Sequence, residues 1–112
     1  MLIEYFHDRN NYKEHTYAVE IPPRDLLLEQ ITLLQPHLNI LFGKTTVNPK
    51  DNYNKKLGRE LAKRRMNINN FILLSINFEN DKWFFMYTND KEYVTFSFTN
   101  TSNKVRLEVV AL

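Results

Sequence analysis

Short apolar runs alternate with polar, turn-forming stretches along the chain, and this pattern predicts most of its elements. The first two runs, LIEYF and TYAVEI, flank HDRNNYKEH, whose Asn and Asp residues favour a turn. We therefore predict an N-terminal β-hairpin with strands near residues 2–7 and 15–21.

A helix is predicted to follow this hairpin. Residues 22–23 are two prolines, which suit the first turn of a helix because an N–H is not needed there. Leu27, Ile31 and Leu34 follow at helical spacing, and Pro36 ends the helix near residue 35. The broad apolar stripe indicates a helix packed on a sheet, or one that also faces a partner.

The C-terminal half has the period-two alternation of an antiparallel meander. It contains four apolar runs, NFILLSINF, KWFFMYT, EYVTFSFT and KVRLEVVAL. They are separated by the turn-like segments ENDK, NDK and NTSN. One face of these strands is apolar and the other is partly polar. Residues 39–43, NILFG, form a candidate short strand upstream of them.

Together these elements predict one α+β domain covering residues 1–112. The expected architecture is an N-terminal β-hairpin, two helices and a four-stranded antiparallel meander, with the helices packed on one face. A chain of 112 residues is long enough for a single hydrophobic core.

Composition excludes several functional classes. The chain has no cysteine and only two glycines, which excludes disulfide frameworks, thiolate chemistry and glycine-rich phosphate loops. No apolar run is long enough to span a membrane, and no secretory signal is recognisable. We expect a cytoplasmic protein without membrane association, and we predict no catalytic residue, no metal and no cofactor.

Positive charge is concentrated between Lys44 and Met66. This segment holds eight cations and two anions, a net charge of +6, whereas the rest of the chain carries −4. The sequence NPKDNYNKKLGRELAKRRM within it predicts a helix over residues 49–66. Asn48 would cap this helix, Pro49 would take its first position and Asp51 would complete a capping box.

This second helix is predicted to be amphipathic. Tyr53, Leu57 and Leu61 lie on one apolar stripe at helical spacing. Gly58 and Ala62 lie along its edge, where small side chains allow the backbone to approach a neighbouring element or leave room for a partner. We favour close packing within the fold.

The opposite face of the helix is uniformly positive. Lys55, Arg59 and Lys63 follow one another at intervals of four residues without an intervening acid, and like-charge pairs at that spacing cost about 0.2–0.5 kcal/mol each. We predict that this face binds anions, either a nucleic acid backbone or an acidic protein surface. An ordinary solvated charged face is the alternative. The predicted binding residues are Lys44, Lys50, Lys55, Lys56, Arg59, Lys63, Arg64 and Arg65, of which the last two also fit the helix dipole.

Three further groups of residues are candidate sites. His7 and His15 flank the hairpin turn. They could form a metal-binding or acid–base pair, but we favour the interpretation that they are two surface histidines. His37, Tyr53 and Arg59 are the nearest candidates for a small metal-independent nuclease. A third is a set of strand aromatics that would either stack on nucleic acid bases or, as we favour, form the core: Trp83, Phe84, Phe85, Tyr87, Tyr93 and Phe96.

The basic segment resembles a known sequence pattern. It contains the run Asp51-x-Tyr53-x-Lys55-Lys56-x-Gly58-Arg59-x-x-Ala62-x-x-Arg65. This run is similar to P-x-D-x-[FY]-x-[RK]-K-x-G-R-x-x-A, a segment found in small uncharacterised proteins of tailed bacteriophages. Arg64 departs from the small residue expected at its position. The resemblance implies a phage accessory protein, made in the bacterial cytoplasm, that binds host machinery or blocks a defence system.

The sequence therefore predicts a non-enzymatic, phage-type protein that binds a host nucleic acid or nucleoprotein through its basic helix. Inhibition of a CRISPR or restriction complex is the expected consequence. The alternatives are a sequence-tolerant nucleic-acid-binding domain without an inhibitory role and a small nuclease. A homodimer is compatible with all three.

Overall fold

A computed structural model describes residues 1–10, 13–47 and 54–112, with only the backbone described for residues 9 and 10. Its strands form one antiparallel sheet in which neighbours in sequence are neighbours in space. The sheet curls into a nearly closed barrel, with β1 and β7 meeting at the seam. The strands are β1 (Leu2–Asn10), β2 (Lys13–Ile21), β3 (His37–Val47), β4 (Asn67–Glu79), β5 (Lys82–Thr88), β6 (Glu92–Thr99) and β7 (Arg106–Ala111), and the helices are α1 (Arg24–Leu33) and α2 (Lys55–Arg64).

The predicted α+β architecture, a hairpin and a four-stranded meander with helices packed on one face, is wrong, because the protein is mostly sheet and its antiparallel strands form a nearly closed barrel. The candidate strand at 39–43 extends over His37–Val47 and pairs with β2 on one side and with β4 on the other. Phe42 takes part in both pairings, opposite Val19 of β2 and Asn67 of β4. The hairpin and the meander are therefore parts of one continuous sheet. Polar residues in the second half of β3 concealed its length from the sequence pattern.

Large aromatic side chains fill the barrel interior. The Phe42 ring lies 5.8 Å from that of Tyr17 and 5.3 Å from that of Phe71. Each such side chain removed from water stabilises the fold by about 1.5–3 kcal/mol. Of the six strand aromatics weighed above, Phe85, Tyr87 and Phe96 are fully buried in the core and Trp83 packs against it, as favoured, whereas Phe84 is partly exposed and Tyr93 is exposed. The half-exposed Phe78 packs against Trp83 with ring centres 4.8 Å apart.

Helix α1 packs against the interior at the end of the barrel where β2 stops. Leu27 is fully buried within the core cluster. Gln30, also buried, accepts a hydrogen bond from the Tyr87 hydroxyl and donates one to the His37 carbonyl at 3.2 Å. The Arg24 guanidinium donates to the Ser102 carbonyl at 3.2 Å and lies over the Phe98 ring. This helix thus closes the core.

Helix α2 instead packs on the outer face of β2 and β3. Its buried residues are Gly58 and Ala62. On the strand side Gly43 is essential, because a Cβ there would overlap the Ala62 carbonyl oxygen and lie 2.9 Å from the Met66 nitrogen. The predicted close approach of the helix backbone is confirmed, and strand β3 is its neighbour. The two helices consequently occupy different surfaces of the barrel.

Replacing Gly43 with Ala should destabilise the protein. The added methyl group has no space against the α2 backbone, and overpacking of this kind costs about 1–3 kcal/mol. Urea unfolding followed by circular dichroism measures the free energy of unfolding. Thr95→Ala, on the outer face of β6, serves as the control. Equal unfolding free energies for Gly43→Ala and wild type would contradict the close packing.

Candidate anion-binding surface

Helix α2 begins at Lys55, because Asn54 is its N-cap. Asn54 has an extended backbone, with φ −129° and ψ 123°, and its side-chain oxygen accepts a hydrogen bond from the Lys56 nitrogen at 2.9 Å. The predicted start at Pro49 is therefore wrong, since a helix cannot continue through an extended residue. Residues 48–53, which include Lys50 and the predicted cap, lie outside the described residues.

The buried side of α2 is rotated relative to the predicted apolar stripe. Gly58 and Ala62 are buried, whereas Leu57 is 49% exposed. A flat strand surface with a glycine at its centre accepts the two smallest side chains of the helix most closely. At about 100° per residue, this orientation directs Lys56 and Lys63 away from the sheet.

Five cations of α2 form what we call the basic face. All are exposed, and none makes an ion pair with any residue that the structure describes. Glu60 is the single acid of the helix. The basic face consists of Lys55, Lys56, Arg59, Lys63 and Arg64.

Arg65 and Lys44 are placed differently. Arg65 donates to the Thr45 hydroxyl at 3.2 Å and to the Lys44 carbonyl at 3.5 Å, so it anchors the end of α2 to β3. The Lys44 ammonium group lies 3.3 Å from the Glu92 carboxylate and 5.7 Å from the centre of the Tyr17 ring. The Lys44 side chain therefore does not extend the basic face.

The ion pair makes one end of the barrel interior polar. Glu92, only 3% exposed, accepts hydrogen bonds from Lys44 Nζ on one carboxylate oxygen and from Asn89 Nδ2, at 3.1 Å, on the other. Close by, the buried Tyr17 hydroxyl is hydrogen-bonded to no described residue. Burial, aided by Glu92 and Asp8, raises the pKa of Tyr17 well above its ordinary value.

Sequence reasoning missed Glu92, although a signal was present. Glu92 shares the period-two register of Val94, Phe96 and Phe98, all of which are buried. A carboxylate on the apolar side of a strand predicts a buried partner.

A polar cleft opens above the ion pair. It has a volume of about 290 Å³ and lies beside the C-terminal end of α2. Two buried residues, Phe42 and Glu92, contribute to its lining, and exposed cations contribute to its edge. The residues lining it are Phe42, Lys44, Arg65, Asn67, Asn69, Asn89, Lys91 and Glu92.

The histidines do not converge. In the β1–β2 register His7 pairs with Thr16 and His15 pairs with Asp8, so the two rings lie on opposite faces of the hairpin. His7 Nδ1 is hydrogen-bonded to Thr16 Oγ1 at 3.1 Å, and His15 Nδ1 to Thr46 Oγ1 at 2.9 Å. Among the described residues no cluster of three or more His, Asp or Glu side chains is arranged to hold a metal ion.

The nuclease candidates are not brought together either. His37, hydrogen-bonded to Asn70 at 3.3 Å, lies at the start of β3. It is separated from Gly43, against which α2 packs, by about 20 Å of strand. Tyr53 lies outside the described residues. The histidine beside α2 is instead His7, whose pKa is lowered by burial and then by Lys55 and Arg59.

Comparison with protein-family models, with curated proteins and with solved structures gave no match. Neither described helix has the length and apolarity needed to cross a membrane.

Removing the cation of the buried ion pair should destabilise the fold. Lys44→Met leaves the Glu92 carboxylate buried without its partner, which costs about 1–3 kcal/mol. The lower part of this range is expected because Lys44 is partly exposed. Adding Glu92→Gln should restore part of the loss, because the neutral amide no longer needs a cation. Additive losses in urea unfolding of the double variant would contradict the pairing.

Removing two cations of the basic face should raise the pKa of His7. Lys55→Gln/Arg59→Gln takes away two of the charges that disfavour its protonation, and an NMR titration of the ring protons measures the shift. His15 is the internal control, since other groups lower its pKa. An unchanged His7 pKa would contradict the proximity of Lys55 and Arg59 to the His7 ring.

This pKa shift also predicts a pH dependence of stability. The unfolded chain binds more protons than the folded one when a histidine pKa is lowered on folding, so stability falls as the pH drops below about 6.5. Thermal unfolding between pH 7 and pH 5 should show a smaller loss for Lys55→Gln/Arg59→Gln than for wild type.

Proposed function

We propose that the protein binds the phosphate backbone of a nucleic acid through the basic face. One observation carries this proposal: five exposed cations lie on a single helix, and no described acid forms an ion pair with any of them. Helix α2, whose buried residues are Gly58 and Ala62, packs on β2 and β3, and this packing fixes the orientation of the five cations.

The energetics of α2 favour an anionic partner. Lys55, Arg59 and Lys63 are successive neighbours along one side of the helix, and each such like-charge pair costs about 0.2–0.5 kcal/mol in the free protein. Phosphates placed along this side would remove the repulsion and release the counterions condensed on the nucleic acid.

The resemblance to tailed-phage proteins supports a more specific proposal. The protein would act without catalysis in the bacterial cytoplasm, occupying a host nucleic acid or nucleoprotein and thereby inhibiting a defence complex. Such inhibition requires only a competing surface with fixed charge geometry, which a short helix packed on a barrel supplies.

Charge reversal on the basic face tests the binding. Fluorescence anisotropy with a labelled oligonucleotide should show at least tenfold weaker binding for Lys55→Glu/Arg59→Glu at physiological salt. The slope of log K against log salt should fall by about two, since two phosphate contacts are lost.

The matched control is Lys104→Glu/Arg106→Glu. It changes the net charge by the same amount at two exposed positions outside α2 and outside the polar cleft, in the segment before β7 and at the first residue of β7. We expect a much smaller loss of affinity. Equal losses for the two double variants would mean that net charge, rather than α2, determines binding.

A lysate pull-down distinguishes the inhibitory role from simple nucleic-acid binding. A bacterial partner that is retained after nuclease treatment, and is lost with Lys55→Glu/Arg59→Glu, would support a nucleoprotein target. A partner that disappears on nuclease treatment alone would support nucleic-acid binding without an inhibitory role.

A further inference from the structure

The polar cleft lies directly beyond the basic face. Arg64, the last residue of α2, belongs to the basic face, and Arg65, the next residue, lines the cleft. The cleft therefore adjoins the end of the helix that carries the basic face, so one ligand that extends past this end can contact both.

The size of the cleft restricts what can enter. Its volume of about 290 Å³ is just below the range of typical small-molecule sites, which is about 300–1,000 Å³. One planar ring system fits such a space, whereas a helix or a duplex does not. The backbone of the ligand would therefore remain outside, on the cations.

The hydrogen-bonding groups of the cleft are complementary to a base edge. Asn69 Nδ2 donates to the Asn67 side-chain oxygen at 2.8 Å and to the Phe42 carbonyl at 3.4 Å. This leaves Asn69 Oδ1 as an acceptor and Asn67 Nδ2 as a donor that no described residue satisfies. Unpaired bases are recognised by such donors and acceptors, and they also stack on guanidinium planes like that of Arg65.

The charges of the cleft agree with a nucleotide. At the bottom of the cleft, Lys44 neutralises the charge of Glu92. The carboxylate can therefore accept a hydrogen bond without a net negative charge that would repel phosphate. The exposed Arg65 and Lys91 give the opening a positive potential.

We propose that the polar cleft receives one unpaired base of a single-stranded nucleic acid whose phosphates lie on the basic face. This inference rests on the proposed function and names its substrate class. A base in a duplex is stacked and paired, and it would have to be flipped out before it could enter.

An abasic strand separates the contribution of the polar cleft to affinity from that of the basic face. Anisotropy is measured with a mixed-sequence single strand and with an abasic strand of the same length and the same number of phosphates. Wild type should bind the strand with bases at least about fivefold more tightly, the lower bound for accommodating one base. Binding of the abasic strand reports on the basic face alone.

Asn67→Leu tests whether the cleft is the source of this preference. Asn67 is exposed, so the variant should fold, and its charge is unchanged. The ratio of the two affinities should fall close to one, with abasic binding unaltered. Asn77→Leu is the control, because Asn77 is an exposed residue of the same strand on its outer face, paired with Phe84.

The outcomes are distinguishable. A wild-type ratio near one, or a high ratio that persists in Asn67→Leu, would overturn the cleft as a base site. Abasic binding that is insensitive to Lys55→Glu/Arg59→Glu would overturn the proposed function instead. Thermal melting of each variant confirms that it is folded.

Discussion

The double pairing of β3 is the constraint on which the rest of the structure depends. Residues 37–42 pair with β4 and residues 42–47 pair with β2, so Phe42 is the only position shared by the two register sets. This stagger is the shear that lets a sheet tilt and curl towards closure. It joins the N-terminal hairpin to the meander and creates one aromatic interior. It also separates α1 from α2, since one helix precedes β3 and the other follows it.

The position of α2 is set by backbone proximity rather than by a large apolar interface. Gly43 leaves no room for a side chain, and the helix contributes Gly58 and Ala62 at the contact. A helix held through small residues can leave nearly all of its longer side chains in solvent. This explains how a short helix keeps five cations exposed while its backbone is tightly fixed. Electrostatic recognition benefits from such rigidity, because little conformational entropy is lost on binding.

The interior changes character along the barrel. At the α1 end it is sealed by Leu27 and by the hydrogen bond from Tyr87 to Gln30. At the other end it holds the Lys44–Glu92 pair and a tyrosine hydroxyl without a described partner. Apolar residues would fill this end at less cost in desolvation. Polar groups in place of an apolar core are expected where a fold carries function. In this protein they lie beneath the polar cleft.

The sequence by itself determined the local elements: the hairpin, both helices, the C-terminal strands and the cation-rich face of α2. These elements follow from the short-range periodicity of apolar and polar residues, which can be read directly from the sequence. Only the tertiary structure decided that β3 spans eleven residues, because its polar half is satisfied by pairing with β2. It likewise decided which side of α2 is buried, since Gly43 selects glycine and alanine over leucine. Glu92 and Lys44 are 48 residues apart in the sequence, so their pairing depends on barrel closure, which no local pattern encodes.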